Sequence, residues 1–384
     1  MRLHQILRDD IRSISESEWS VCQIETGVPG CPLTWHVLQQ TLRGGRQEGV
    51  EIIEVDNGVL RFTIVPTRGF AIWNAYTVNL RLGWDSPVSE IVHPRFVDLS
   101  EDGGRAWLRG FGAWIDRCGF ESIGPPCSDG GRALTMHGRA SYIPACFVEC
   151  RYESEPTPRI LLRGIVEERV SCGVILQLET TVITELGQKK LIVSDKLTNL
   201  GTTPQEWQAI YHINFGPPFL GTGSQFIASV KDVTPRDPRS AEGDITRWNS
   251  YDGPYGDGYT EQVFLTNLNA DAFGETTVML RSPTGNEGVA LTFNVSAFPH
   301  FVLWKNEVSS KVGYVTGLEP STSYPYDRAT ERSAGRVPVL YPGESRSMQI
   351  VIEALTSETS IATQEEAIRK LQKIETESSH QKNP

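Results

Sequence analysis

The chain has 384 residues, with 36 Lys and Arg against 47 Asp and Glu, a formal net charge of −11. That balance argues against a polybasic surface for nucleic acid or an anionic membrane, because both are recognised through clustered Lys and Arg. With 39% hydrophobic residues the chain can form a packed core. No run approaches the roughly 18 consecutive apolar residues of a membrane-spanning helix. The start, Met1-Arg2-Leu3-His4-Gln5, runs on to Asp9 and Asp10 with no apolar stretch, so no secretory signal is expected.

Taken in chain order, the first expected element is a short helix near Ser13–Trp19. A hairpin follows: Val50 to Val55, the turn Asp56-Asn57-Gly58, then Val59 to Val65. Leu60, Phe62 and Ile64 alternate there with Arg61 and Thr63, and Asn-Gly supplies the positive φ values of a tight turn. Further β-rich runs are 160–170, 174–185, 190–199, 276–281, 289–295, 301–304, 311–316 and 348–354. Short strands punctuated by 35 Gly and 23 Pro predict an all-β, large antiparallel sandwich or barrel. No helical periodicity lies between the strands, which disfavours a parallel βαβ sheet. At the end, Ile361, Ile368, Leu371 and Ile374 fall at helical spacing within 360–375. They predict an amphipathic C-terminal helix packed on the body, with a frayed polar tail at 378–384. The turn-rich segment 235–258 reads as a long surface loop over a site, not as a linker. The expected division is an N-terminal extension (1–45), a β-domain (46–356), and the helix and tail (357–384).

The seven cysteines, Cys22, Cys31, Cys118, Cys127, Cys146, Cys150 and Cys172, are odd in number and contain no Cys-x-x-Cys pair. Neither a disulfide framework nor a structural zinc site is expected, and reduced thiols fit a cytoplasmic location.

Several polar residues have unusual surroundings. Arg68, in Pro66-Thr67-Arg68-Gly69-Phe70, can project a guanidinium into a cleft or can simply sit at a surface turn. His137, in Met136-His137-Gly138-Arg139, can face a cleft or bond a loop. In Tyr211-His212-Ile213-Asn214-Phe215, a strand puts His212 and Asn214 on one face, either a site wall or a wet polar face. Glu319, in Gly317-Leu318-Glu319-Pro320, is a potential base if an apolar wall raises its pKa, and otherwise a solvated loop glutamate. Trp304 beside Lys305 is either core or a sugar-stacking platform. Nucleophile-elbow, phosphate-loop, dinucleotide and His-Glu-x-x-His motifs are missing. A metal site from His137, His212 and Glu319 finds no support in spacing, and no cofactor is expected.

In order, PTRGFAIWNA (66–75), CGFESIGPPC (118–127), MHGRASYIPA (136–145), LTNLGTTPQEWQAIYHINFGPPFL (197–220), EQVF (261–264), LWKN (303–306) and GLEPST (317–322) resemble the galactose mutarotase-like superfamily. Within it they resemble an uncharacterised aldose 1-epimerase-like branch. The resemblance implies a β-supersandwich with a central sugar cleft. It further implies a mutarotase, in which a histidine acid protonates the sugar ring oxygen and a glutamate base takes the anomeric hydroxyl proton. The implied acid is His212 and the implied base Glu319. Arg68 matches the family arginine that binds hydroxyls, and His137 the second cleft histidine, although HGR replaces the usual HGG. Lys305, Asn214, Tyr211 and Asp116 are further candidates for the substrate-binding wall. The aspartate loop typical of mutarotases is missing, with only Asp252 and Asp257 in that stretch.

The expected function is therefore anomer interconversion of a free or modified monosaccharide. Alternatives using the same cleft are aldose–ketose isomerisation, epimerisation or elimination, with or without a metal, or carbohydrate binding without catalysis. The expected partner is a sugar, with neither nucleic acid nor membrane; oligomeric state is not legible.

Overall fold

The computed structural model describes residues 2–23, 34–77, 80–242, 244–256 and 261–380. Two large antiparallel sheets stack face to face. One has ten strands, in the order Gln225–Ala228, Glu275–Arg281, Gly288–Asn294, Ser345–Leu355, Lys190–Asn199, Ile175–Glu185, Arg159–Arg169, Phe147–Glu153, Arg2–Asp9 and Ile14–Ser15. The other has twelve. Its order is Val230–Pro235, Gln262–Leu268, His300–Asn306, Val315–Ser321, Gln208–Phe215, Ile115–Phe120, Ala71–Thr77, Leu60–Val65, Glu51–Asp56, His36–Thr41 and Trp19–Cys22, with Leu80–Leu82 paired to Ala71–Thr77.

Alternation decides which side of each strand is buried. In Arg159–Arg169 and Ile175–Glu185, Leu162 faces Val182 and Val166 faces Leu178, all buried between the sheets. The hairpin forms between Glu51–Asp56 and Leu60–Val65 as its sequence predicts, but only Gly58 of the Asn-Gly pair has a positive φ, 95°, and the loop is Gly58-Val59. Asn57 Oδ1 accepts the N–H groups of Val59 and Leu60 at 3.0 and 2.7 Å. Its amide nitrogen donates to the carbonyls of Glu185 and Gln188, both at 2.9 Å, tying the turn to the other sheet.

Two expectations fail. The segment 13–19 is not helical: Ile14–Ser15 pairs with Arg8 and Asp9, and Trp19–Cys22 pairs with His36–Thr41. Edge pairing claims its backbone groups; the Glu16 N–H, for example, donates to the Leu7 carbonyl at 2.9 Å. Residues set apart in the sequence as an extension thus form the edge of both sheets. The run expected at 311–316 is displaced, because Val312 closes a turn onto Ser309 and the strand occupies Val315–Ser321. Glu319 therefore lies within a strand.

The C-terminal helix, Glu358–His380, sets Ile361 and Ile368 against Met279, Ala290 and Leu355. Arg281 donates to Glu365 at 2.7 Å across that contact. No helix among the described residues is long and apolar enough to cross a membrane.

The strand Gln208–Phe215 is buried along its whole length. Ala209, Tyr211, Ile213 and Phe215 enter the core between the sheets. The opposite parity faces away from that core. Ile210 joins a second apolar cluster with Trp107, Phe111, Cys118, Val263 and Val302. The candidate site is built on this covered outer face.

Candidate active site

His212 stands on the outer face of Gln208–Phe215, flanked by Ile115–Phe120 and Val315–Ser321. Asn214, two residues on, lies on the same face, and its Oδ1 is 2.7 Å from His212 Nδ1. The Asn214 amide nitrogen donates to the carbonyls of Ala113 and His212 at 3.0 and 3.1 Å. Those carbonyls fix the amide orientation, so Oδ1 accepts from Nδ1–H and leaves His212 Nε2 bare.

Glu319 enters from the neighbouring strand, with Oε1 3.3 Å from His212 Nε2. The spacing Gly317-Leu318-Glu319 is what allows this. Residues 317 and 319 share a face, and a Cβ at 317 would overlap Glu319 Oε1. Glycine leaves the room that the carboxyl fills.

His137 is presented differently. It has a φ of 58°, and Gly138 follows at 68°. A Cβ at 138 would strike the carbonyl oxygen of Gly119. This left-handed pair turns the imidazole inward, where Nδ1–H donates to the Ile123 carbonyl at 2.8 Å. The His137 and His212 ring centroids are 5.6 Å apart.

These three side chains line a cavity of about 480 Å³. Trp107, Phe111 and Trp304 surround His212, with centroid separations of 5.9, 5.1 and 5.2 Å. The remaining wall is charged. Arg236 donates to Asp237 at 2.8 Å and lies 3.8 Å from Glu261. Glu261 also accepts from the Trp304 indole at 2.8 Å. Arg105, Arg239, Tyr326 and Asp327 complete this side.

Burial sets the protonation states. It pushes His212 down to about 3, with His137 adding to the shift and the Asn214 bond opposing it. It pushes His137 down to about 4. Burial raises Glu319 well above its ordinary value, against the opposing Arg236 and with help from Glu261. The His212–Glu319 pair accordingly holds one proton on the carboxyl, next to the bare Nε2.

Of the eight candidates named from sequence, the cavity is lined by His212, Glu319 and His137. Asn214 stands behind His212 and orients it. The other four do not line the cavity. Arg68 is 1% exposed, stacks 4.0 Å from the Tyr142 ring, and donates to the carbonyls of Ser141, Val92 and Gly110. Tyr211 has the parity opposite to His212. It faces the core between the sheets and donates to Asp195, which also receives the Arg117 guanidinium. Asp116 lies opposite His212 across the strand pair, fully buried beneath the cavity wall. Its carboxylate oxygens have no hydrogen-bond partner, and burial raises its pKa to about 6. Lys305 follows Trp304 and therefore faces the other way. It donates to the Ser250 carbonyl at 2.6 Å and pairs with Glu307 at 3.2 Å in a separate cavity of about 230 Å³.

Sequence reasoning missed Trp107, Phe111, Arg236 and Glu261. Glu261 stood within the quoted EQVF segment. Arg236 opens the segment read as a loop over a site, which does contribute Arg236, Asp237 and Arg239 to the wall. Asp257 lies outside the described residues, and Asp252 pairs with Arg247 at 2.7 Å. Cys118, Cys127, Cys146, Cys150 and Cys172 are free thiols, and Cys31 lies outside the described residues. Among the described residues no three His, Cys, Asp or Glu side chains come close enough together to hold a metal ion.

Residues 47–354 match DUF4432, a domain of unknown function. No curated protein sequence matches the chain. Among solved structures, a candidate aldose 1-epimerase from Klebsiella pneumoniae subsp. pneumoniae MGH 78578 is 33% identical. It superposes with a TM-score of 0.94, covering 97% of this chain and 96% of its own. A galactose mutarotase-like protein from Clostridium acetobutylicum gives a TM-score of 0.59 at 14% identity, covering 83% of this chain and 98% of its own. Galactose 1-epimerase from Lactobacillus acidophilus NCFM gives 0.53 at 10% identity, covering 84% and 99%. At these lower identities the likeness is one of fold, the galactose mutarotase-like supersandwich.

Proposed function

We propose that this chain, which belongs to the DUF4432 family, is a mutarotase-like isomerase interconverting the anomers of a free or modified monosaccharide. The observation that carries the reading is the buried His212–Glu319 pair, 3.3 Å apart at the cavity wall, with the histidine tautomer fixed by Asn214.

Anomer exchange requires two coordinated proton transfers between oxygens. The ring oxygen must gain a proton as the C1–O5 bond breaks, and the O1 hydroxyl must lose one as C1 becomes an aldehyde. The pair holds the single proton this exchange needs. When sugar hydroxyls solvate the two groups, that proton moves from Glu319 to His212 Nε2. His212 then protonates the ring oxygen while Glu319 accepts the O1 proton. After rotation about C1–C2, the reverse transfers close the ring on the other face and restore both groups. No covalent enzyme intermediate is needed.

The aromatic wall supplies apolar surface for sugar C–H faces, and the Arg236–Asp237–Glu261 cluster supplies hydroxyl contacts. His137 Nε2, left bare by its Nδ1 bond, is an acceptor for a further hydroxyl.

The test is the pair of variants Glu319→Gln and His212→Asn. Each is expected to lower the exchange rate by about 10²–10⁴-fold while calorimetric sugar binding persists. Full activity in Glu319→Gln would remove the base assignment.

A further inference from the structure

A second large cavity, of about 670 Å³, lies where the twelve-stranded sheet meets the strand Ser345–Leu355. Its wall includes Trp207, Pro299, His300, Arg336, Arg346 and Met348. None of the lining residues is Asp or Glu, in a chain that carries 47 of them. The catalytic cavity differs, balancing its arginines with Asp237, Glu261 and Asp327. So does the Lys305 cavity, which includes Glu242, Asp244, Asp252 and Glu307.

The donors have distinct roles. Arg336 is held from behind by the buried Glu331, with bonds of 2.6 and 2.8 Å, which fixes its fork. Arg346 is exposed on the rim and engages no carboxylate among the described residues. Trp207 is 3% exposed, and its indole N–H has no hydrogen-bond partner. That nitrogen has no accessible surface, so it does not open onto the cavity. The rest of the wall mixes the hydroxyls of Ser296, Thr322 and Ser347 with apolar Ala297, Pro299 and Pro338.

We propose that this cavity is a second ligand site, for a small amphipathic anion with a phosphate, sulfate or carboxylate head on a flat apolar body. Arg346 holds the head from the rim, Arg336 lines the same wall, and Ala297, Pro299 and Pro338 take the body. The site is independent of the proposed isomerase chemistry.

Phenyl phosphate titrated into the full chain by calorimetry tests this, with inorganic phosphate and benzyl alcohol as half-ligand controls. One saturable site is expected, tighter than for either control. Arg346→Glu, an exposed change whose fold is checked by its melting temperature, is expected to weaken binding at least about tenfold, roughly 1.4 kcal/mol. Glu319→Gln should leave it unchanged. The proposal is overturned by absence of saturable binding, by inorganic phosphate binding as tightly as phenyl phosphate, or by binding that survives Arg346→Glu but disappears in Glu319→Gln.

Discussion

Burial behind a largely aromatic wall raises the pKa of Glu319, and this has consequences for stability as well as chemistry. Its folded pKa lies above the ordinary 4.5. The folded chain therefore holds a proton that the unfolded chain releases as pH rises past about 4.5. Stability contributed by the neutral carboxyl is complete below that value and is lost as pH rises toward the folded pKa. Glu319→Gln, which cannot ionise, should be more stable than the wild type at neutral pH. The gap in melting temperature should widen as pH rises above about 4.5; a constant gap would mean that the carboxyl is not held neutral. His212 and His137 are shifted downward, so they add stability as pH rises toward 6.5, a contribution common to both proteins that cancels in this comparison. Gly317 belongs to the same scale. Gly317→Ala would displace the Glu319 carboxyl, and a misplacement on the order of 1 Å is expected to lower kcat by about 10²-fold. Steady-state kinetics with an unchanged kcat would show that the carboxyl has another place to go.

At the scale of the element, strand alternation decides what can share a site. Tyr211 and His212 are adjacent, as are Trp304 and Lys305, so one member of each pair must face away from the cavity. The sequence places both members of each pair together in a motif but does not say which face is the outer one. That choice comes from long-range packing: Phe301 and Leu303, in register with Lys305, enter the core between the sheets. Lys305 instead anchors the loop after Pro235 through Ser250 and Glu307, its own pKa lowered by burial. With both side chains about 4% exposed or less, Lys305→Met leaves Glu307 buried without its cation. We expect a stability loss of about 3–5 kcal/mol by urea unfolding. An unchanged midpoint would mean that the loop is held by other contacts. Arg68 was illegible for a related reason: a turn residue has no parity, and only the fold reveals the three carbonyls that claim its guanidinium.

Across the whole molecule, the β-architecture was legible because local signals agree with the global arrangement. The hairpin at Asn57, the long strands from Arg159 to Asn199 and the terminal helix all announce themselves through period and turn chemistry. The edge strands before residue 45 were not legible, since they owe their form to pairing partners such as Phe147–Glu153, distant in sequence. The acid–base pair was visible only through the resemblance, because His212 and Glu319 are brought together by the pairing of Ile213 with Leu318. Apart from Trp304, on the strand His300–Asn306, the aromatic and charged walls come from turns and a loop whose sequences carry no periodic signal.

The central claim is that this pair moves protons between sugar oxygens. The most direct measurement is ¹H-NMR anomer exchange in D₂O with purified protein, over a panel of neutral, deoxy and acidic sugars, with and without EDTA. The account predicts faster α/β exchange on at least one sugar, insensitive to EDTA, with no deuterium at C2 and no new product. Deuterium at C2, or a new product, would contradict it by showing that the pair removes a proton from carbon.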